Sequence, residues 1–439
     1  MKRLLVLLVA VAVAVLLTAP SYAAELKTSG HYRVRAFGIE NMTTASQSTL
    51  HTSGADDSIS YVDHRFRLNL DVSEGPVMGR LQINSGNYNW GDSQTSSAWN
   101  REMFLKFPIG GASVMVGKYW AASPYTLGEI MFMDVKEALT VTIPVNNDLK
   151  LVGIIVDLNS SAAGSYDNIS GIGYRLIGNY APKGSMYSGA VGFYYNVLND
   201  SATTANTYVE DRPMWLAGTI NAAQGAWSAS LTGAYKFGDK DSNASGVITS
   251  YNYKAHAFDV RASYDFAKAG GPPLSLTAIL GVGSGDDNKT STDTDLEEFT
   301  SPSPSYTHTA IFLDHGDAAE GGAQLSHAAR SQAGGIGNLT MLALKAAYKL
   351  TDKTTLNITG ATFSLTDETT GVASSTYQSD NLGQELDIAI THNLAKGLNL
   401  TLSGAWFIPD EKGWTLSTAS TLASDDTIAE YMAKLKWDF

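Results

Sequence analysis

The chain has 439 residues and contains no cysteine. Disulfides, thiolate metal sites and covalently attached c-type haem are therefore excluded. After residue 17, no apolar run approaches the length of about 20 residues that a membrane-spanning helix needs. If this protein lies in a membrane, it must cross as a closed β-barrel, because lipid cannot satisfy open backbone groups.

The one long apolar run lies at the N-terminus. Met1-Lys2-Arg3 is basic, residues 4–17 are fourteen consecutive apolar residues, and Ser21 and Ala23 occupy the small-residue positions before a cleavage point. This pattern is typical of a secretory signal peptide. We expect residues 1–23 to be removed and residues 24–439 to be exported, with a retained membrane anchor as the alternative.

Acidic residues outnumber basic residues. The formal net charge is −13, and removal of Lys2 and Arg3 leaves 28 basic and 43 acidic residues, or −15. Nucleic acid is therefore not an expected partner, because a phosphate backbone attracts basic surfaces. Many of the acidic residues lie in one polar segment, 284–338.

Polar and apolar residues alternate along most of the exported chain. Arg33 and Arg35, for example, alternate with Tyr32 and Val34, and no segment shows a sustained helical period. Successive side chains of a β-strand point to opposite faces, so this alternation predicts strands with one face in lipid and one in water.

The connections between these strands alternate in length, which gives a strand count. We identify eight short, turn-forming connections, at 73–76, 108–111, 145–148, 181–184, 221–225, 269–273, 351–354 and 393–397. The long polar connections are nine, at about 39–58, 86–98, 120–136, 159–169, 199–212, 238–250, 284–338, 366–381 and 408–426. The predicted fold is an all-β, transmembrane, antiparallel up-and-down β-barrel of eighteen strands, with short periplasmic turns and long outer loops. Sixteen strands is the alternative.

A barrel of this size leaves an aqueous channel, whose default activity is passive diffusion of small hydrophilic solutes and ions. Charged residues on the polar parity should line the pore and set its selectivity. The predicted pore-lining residues are Arg33, Arg35, Asp63, Arg65, Arg67, Arg80, Glu102, Lys106, Glu385 and Asp387. Their basic members favour anionic solutes. The alternative is that these arginines only pair with Asp63, Asp71 and Glu102 to satisfy a polar wall.

Two long connections could narrow the channel. Residues 120–136 are unusually apolar for a loop, so we expect them to fold inward or onto a neighbour. Residues 284–338 form a connection far longer than the usual range, and this segment could cap the mouth of the barrel.

Enzyme chemistry is not predicted. No Gly-x-Ser-x-Gly motif accompanies the strand histidines His64 and His256, so no catalytic residue is assigned. His308 and the acidic residues of 284–338 are of metal-ligating types, but their spacing matches no defined metal motif. We therefore predict no metal and no cofactor.

The C-terminal strand has an aromatic face. Tyr431, Trp437 and Phe439 share one parity, whereas Lys434 and Lys436 share the other. This segment resembles the closing strand of Gram-negative outer-membrane proteins, and the resemblance implies that the outer-membrane assembly machinery reads these three aromatic residues. The expected partners are thus outer-membrane lipid, the assembly machinery and small hydrophilic solutes. Homo-oligomer formation is left open.

Residues 382–410 resemble the end of the alginate-export porin family, in which a Gly-x-Glu-Leu-Asp strand is followed by a short turn and an aromatic-aromatic-x-Pro strand end. Here these are Gly383 to Asp387 and Trp406 to Pro409. The resemblance implies an eighteen-stranded barrel. It also implies an alternative function, a substrate-specific channel for anionic sugars or polysaccharide. A barrel that serves as the scaffold of a larger outer-membrane complex is a third hypothesis.

Overall fold

The computed structural model describes residues 24–41, 58–86, 88–90, 99–158, 169–201, 208–244, 247–287, 294–303, 306–313, 330, 335–368, 376–415, 417 and 426–439. The predicted signal peptide, 1–23, lies outside the described residues. Within the described ranges, no helix is long and apolar enough to cross a membrane.

Eighteen strands form the wall of the protein. They are β1 Glu25–Glu40, β2 Ser58–Glu74, β3 Val77–Asn84, β4 Trp99–Ile109, β5 Ala112–Ala122, β6 Met133–Pro144, β7 Leu149–Asp157, β8 Ile169–Tyr180, β9 Tyr187–Ser201, β10 Tyr208–Gln224, β11 Trp227–Ala244, β12 Ala255–Asp265, β13 Leu274–Gly283, β14 Leu339–Thr351, β15 Thr354–Ser364, β16 Asn381–Ala395, β17 Leu398–Pro409 and β18 Ile428–Asp438. Three short strands, Tyr88–Asn89, Val247–Tyr253 and Asp295–Leu296, extend this wall locally. Two short helices, α1 Thr126–Ile130 and α2 Glu411–Trp414, and a 3-10 turn at Ala267–Ala269 complete the described elements.

The wall closes on itself because β18 pairs with β1. The pairing is antiparallel and continuous from His31 opposite Asp438 to Glu40 opposite Ala429. Gly30 and Phe439 extend it through two backbone hydrogen bonds, with N···O distances of 2.9 and 3.1 Å. The predicted antiparallel barrel is confirmed, as is the count of eighteen strands rather than sixteen.

The eight predicted short turns all join consecutive strands. Gly110 and Gly225 sit in two of them with φ of +58°, a left-handed conformation that glycine adopts without steric cost. The short turns thus gather at the end of the barrel that also holds the start of β1 and the end of β18.

Two of the predicted long loops are wrong in extent. Most of 199–212 and 238–250 is strand, because β10 and β11 pair without interruption from Tyr208 opposite Asn243 to Gln224 opposite Trp227. We placed loops there because polar residues occupy both parities. Beyond the lipid, neither face of a strand needs to be apolar, so the alternation disappears although the hydrogen-bond ladder continues.

Large apolar side chains cover the outer face of the wall. Leu216, Leu342, Leu344 and Leu402 are all more than half exposed. Aromatic rings cluster where strands end, as at Trp437 and Phe439, whose ring centroids lie 4.9 Å apart. This outer surface matches the apolar band and aromatic borders of a transmembrane barrel.

The buried core of the molecule lies inside the barrel. One inward segment, residues 123–132, contains α1 and buries Leu127, Ile130, Met131 and Phe132. It turns inward at Tyr125, whose φ is 56°. The other inward segment, residues 299–313, buries Phe299, Tyr306, Ile311, Phe312 and Leu313 in its described part. The apolar 120–136 connection therefore folds inward, while its end, from Met133, is already strand β6.

Candidate functional site

A row of cations crosses the seam where the barrel closes. Lys436 of β18 lies directly opposite Arg33 of β1, and Arg33 lies directly opposite Arg65 of β2. On the neighbouring inward level, Lys434 lies opposite Arg35. Cations thus predominate on this part of the wall, where Lys436 lies 3.0 Å from Asp438 and Arg35 is paired with Asp63. We call Arg33, Arg35, Arg65, Arg67, Lys434 and Lys436 the basic wall.

Sequence reasoning missed the contribution of Lys434 and Lys436 to this wall. Their parity was visible, but they stand about 400 positions away from Arg33 in the chain. The usable signal was closure itself, because the last strand of a closed barrel must pair with the first.

Several predicted pore residues form ion pairs within the wall. Arg35 donates from Nε to Asp63 Oδ1 at 3.0 Å, and its Nη2 contacts Asp63 Oδ2. Arg80 donates from Nε and Nη2 to the carboxylate of Asp71 at 2.6 and 2.8 Å, and its Nη1 lies 3.7 Å from Glu102 Oε2. Arg35 and Arg80 therefore fit the alternative hypothesis, in which the arginines pair with carboxylates of the wall.

The predicted pore residues also differ in accessibility. Arg33, Arg35 and Asp63 have no exposed surface and Arg65 is nearly as buried, whereas the Arg80 side chain is 29% exposed. Lys106 lines a separate cavity of about 490 Å³ near the short turns, together with Lys150. Arg80 and Lys106 are thus more accessible than Arg33, Arg35 and Arg65.

Glu385 and Asp387 lie on β16, away from most of the basic wall. Their carboxyl groups accept hydrogen bonds from backbone amides of the 299–313 segment. The Glu385 carboxylate accepts hydrogen bonds from the amides of Ile311 and Phe312, at 2.6 and 2.9 Å. Asp387 Oδ2 accepts from the amide of Ala310 at 3.2 Å. These two predicted residues therefore anchor the 299–313 segment.

The 123–132 segment is tied to the wall by polar contacts. Thr126 Oγ1 lies 3.1 Å from Thr219 Oγ1 and also contacts Thr232. Ser123 Oγ and the Tyr194 hydroxyl are 2.7 Å apart. These hydroxyl contacts hold α1 against β9, β10 and β11.

Arg261 of β12 joins both inward segments at one point. It donates to Glu129 of α1 at 3.1 and 2.8 Å and to Asp259 at 2.7 and 3.2 Å. Asp259 in turn accepts from the Tyr306 hydroxyl at 2.8 Å. Burial, reinforced by the Asp259 carboxylate, raises the pKa of the Tyr306 hydroxyl, so this loop residue remains a hydrogen-bond donor at neutral pH.

A second anchor for the 299–313 segment is cationic and aromatic. Trp215 Nε1 donates to the Thr300 carbonyl at 2.8 Å, and Lys236 Nζ donates to Thr300 Oγ1 at 2.6 Å. The Lys236 ammonium also lies 3.6 Å from the centroid of the Tyr253 ring. In the sequence, Asp259 and Arg261 share the polar parity of one strand. Nothing in the sequence indicated that Glu129 would bind Arg261 or that Thr300 would bind Trp215 and Lys236.

The interior therefore combines one basic wall with two inward segments that narrow the lumen. In the described part of the chain, no three acidic or histidine side chains come close enough to hold a metal ion. Transport past a constriction is the chemistry that this arrangement supports best.

Comparison with known proteins agrees with this geometry. The family model described as "Alginate export" matches residues 174–412, more than half of the chain. The chain belongs to the alginate-export family. No protein in the curated set matches it.

Solved structures similar to this alginate-export family member are outer-membrane channels of Pseudomonas. A BenF-like porin from Pseudomonas fluorescens has a TM-score of 0.58 at 10% identity, over 94% of this chain and 98% of that one. Pseudomonas aeruginosa OpdK with vanillate has a TM-score of 0.54 at 11% identity, over 94% and 98%. Pseudomonas aeruginosa OccK2 (OpdF) in complex with glucuronate has a TM-score of 0.53 at 12% identity, over 94% and 98%. At these identities the likeness shows the fold.

Family and fold together identify the molecule as a Gram-negative outer-membrane porin-like channel. The predicted resemblance, drawn from residues 382–410, is confirmed and extends further towards the N-terminus. The matched range contains Asp259, Arg261, Glu385 and Asp387, which anchor the inward segments. It contains none of the basic wall, on β1, β2 and β18, so membership of the alginate-export family by itself does not explain that wall.

Proposed function

We propose that this channel passes small anionic hydrophilic solutes, carboxylated sugars among them, by diffusion across the outer membrane. The observation that carries the proposal is the run of cations at Lys436, Arg33 and Arg65 on three adjacent strands. A wall on which cations outnumber carboxylates raises the local concentration of anionic solute in a narrow lumen and sets ion preference.

The basic wall contrasts with the rest of the chain. The whole sequence carries −13, and much of that charge lies in the 284–338 segment. On the same inner surface, the six cations of the basic wall outnumber the carboxylates of Asp63, Glu430 and Asp438, so we expect the local field to be opposite in sign to the net charge. The local field is the relevant one for a solute inside the lumen.

A selective channel is favoured over a general diffusion pore by the inward segments. The side chains of Phe132 and Phe312 are fully buried inside the barrel, so the lumen is not a simple open tube. The scaffold hypothesis would need a partner to fill the lumen, whereas here part of the lumen is occupied by the chain itself. We infer no catalytic activity.

Two of the similar channels were solved with carboxylate-bearing molecules, glucuronate and vanillate. This supports a carboxylate as the group recognised here. Export of an anionic polysaccharide is the second candidate, favoured by the family match. A polymer would require the inward segments to leave the lumen, so small solutes fit this closed arrangement better.

Two further expectations belong to the same proposal. Residues 1–23 are cleaved on export, and Tyr431, Trp437 and Phe439 form the outward aromatic signal that the outer-membrane assembly machinery reads. In support of the second, all three aromatic side chains are at least two-fifths exposed on the outer face. Homo-oligomer formation remains outside this proposal.

The decisive test is ion selectivity in a planar bilayer. Under a salt gradient, we expect the reversal potential to report anion preference, and we expect Lys434→Gln with Lys436→Gln to move it towards zero, because two cations leave the basic wall. Lys183→Gln with Lys268→Gln is the matched control, since these lysines lie in short turns. Cation preference in the unmodified channel would contradict the proposal.

A further inference from the structure

Three consecutive backbone amides of the 299–313 segment are held by side-chain carboxylates of the wall. The amide of Ala310 donates to Asp387, and the amides of Ile311 and Phe312 donate to Glu385. We call this contact, from Ala310 to Phe312 against Glu385 and Asp387, the latch.

An aromatic pocket completes the latch. The Phe312 ring lies 4.3 Å from the ring of Phe363 and 5.5 Å from that of Phe407, measured between centroids. The guanidinium of Arg330 covers the same ring at 5.2 Å. Phe312 is therefore held in an aromatic pocket at the latch, while the rest of the segment is attached to the wall at other points.

A cavity of about 420 Å³ lies against the latch. Ala310 and Asp387 both line it, so one face of the cavity is the latch itself. The cavity is also lined by the ammonium groups of Lys345 and Lys434, the carboxyl group of Glu430 and the hydroxyl groups of Thr401 and Ser403. Its volume falls in the range of small-molecule sites, about 300–1,000 Å³, and suits a molecule of monosaccharide size.

Asp387 is common to the latch and the cavity. Its Oδ2 accepts the Ala310 amide at 3.2 Å, the longest of the three latch hydrogen bonds. A molecule in the cavity with hydroxyl donors can hydrogen-bond to the same carboxylate and displace the Ala310 amide. A carboxylate on that molecule would meet the ammonium group of Lys345 or Lys434.

We propose that this cavity binds a polyhydroxylated carboxylate and that its hydroxyl groups release the latch through Asp387, so that the solute opens its own path. The inference rests on the proposed function and adds its regulation. The carboxylate of the solute binds a lysine of the cavity, and the hydroxyl groups of the solute release the Ala310 amide from Asp387. An anion without hydroxyl groups occupies the cavity but leaves the latch closed, because it has no donor for Asp387.

The absence of cysteine from the chain makes a direct test available. Leu313→Cys places a thiol at a fully buried position beside the latch, where a water-soluble maleimide reacts only after release. The protein is purified from outer membranes and reconstituted in vesicles. We expect gluconate to speed modification of the introduced thiol and acetate at the same concentration to have no effect.

Substitutions in the latch should reproduce release without solute. Against the Leu313→Cys background, we expect Glu385→Gln and Asp387→Asn each to speed modification by about tenfold, because a side-chain amide has one acceptor oxygen where the carboxyl group has two, so each substitution weakens or removes a latch hydrogen bond. Asp148→Asn, in a short turn, makes the same change of charge away from the lumen and should leave the rate unaltered. Gluconate should add nothing in Asp387→Asn.

The outcomes separate this inference from the proposed function. If the channel is anion-selective but gluconate and acetate give the same rate of modification, the latch proposal is wrong and the proposed function stands. If gluconate speeds modification in a channel without anion preference, the proposed function fails and the latch stands. Should Asp387→Asn not fold, the comparison of gluconate with acetate in the Leu313→Cys protein still decides.

Discussion

At the scale of single residues, parity was the information that the sequence carried best. Alternation along β1 and β2 indicated which side chains turn away from lipid, and the inward level of each follows from strand register. Parity could not say which partner each side chain would find. Arg35 pairs with Asp63 inside the wall, whereas Glu385 holds backbone amides of a loop.

The buried Arg35–Asp63 pair gives a prediction about stability. Both side chains are almost completely inaccessible, so Arg35→Met should leave a buried carboxylate without its partner and cost about 3–5 kcal/mol of unfolding free energy. Guanidinium unfolding of the barrel in vesicles measures this loss.

Two controls accompany that measurement. Arg35→Met with Asp63→Leu should recover most of the loss, because neither member of this pair is then left buried without the other. Lys27→Met removes an exposed pair with Glu25, in which the two side chains are 68% and 60% exposed, and should change nothing measurable. Equal effects of Arg35→Met and Lys27→Met would contradict the interpretation.

At the scale of elements, the sequence predicted the number of strands better than their length. Turn residues between alternating segments marked all eight short connections. The end of β9, the start of β10 and the end of β11 were missed. These parts lie far from the short turns, beyond the lipid, where the hydrogen-bond ladder continues although the strands have no apolar face. Barrel closure required β18 to pair with β1, but the sequence did not indicate which residues of the two strands would lie opposite each other.

The seam supplies a prediction with a control on the same strand. A Cβ added at Gly30 would overlap the Arg67 carbonyl oxygen of β2 and lie 2.9 Å from the Phe439 ring. Gly30→Ala should therefore disturb the pairing of β1 with β2 beside the seam and destabilise the barrel by about 1–3 kcal/mol, the usual cost of overpacking.

The folded fraction that resists unfolding by detergent and heat reports this effect. Gly38→Ala is the matched change on β1, since an added Cβ there meets no atom within 4 Å in the described structure. If the two alanine variants fold equally well, close packing around Gly30 does not limit the stability of the barrel.

At the scale of the whole molecule, the barrel wall and the two inward segments have different physical origins. A closed ladder satisfies the backbone and forms the wall. The two inward segments then create a buried interior that no single strand pattern specifies. Arg261 connects both segments to the wall. It forms an ion pair with Glu129 of the 123–132 segment, and it also binds Asp259, which accepts a hydrogen bond from Tyr306 of the 299–313 segment.

Loss of this attachment should change the conductance of the whole channel. Arg261→Met leaves Glu129 and Asp259 as two facing carboxylates without the cation between them, so we expect both segments to loosen and single-channel conductance to rise. Arg212→Met is the control, because Arg212 also binds two carboxylates, Glu210 and Asp239, but at a side chain that is 37% exposed. Unchanged conductance in Arg261→Met would show that the inward segments do not depend on Arg261.

The sequence by itself determined that the protein is a transmembrane barrel of eighteen or sixteen strands with charged residues inside, because periodicity and turn chemistry are local properties. Only the tertiary structure decided that Lys434 and Lys436 join Arg33, that Glu385 and Asp387 hold a loop, and that Arg261 links two segments. Those contacts join residues up to about 400 positions apart. They arise from barrel closure and from burial of apolar loop residues in the lumen, and both depend on the chain as a whole.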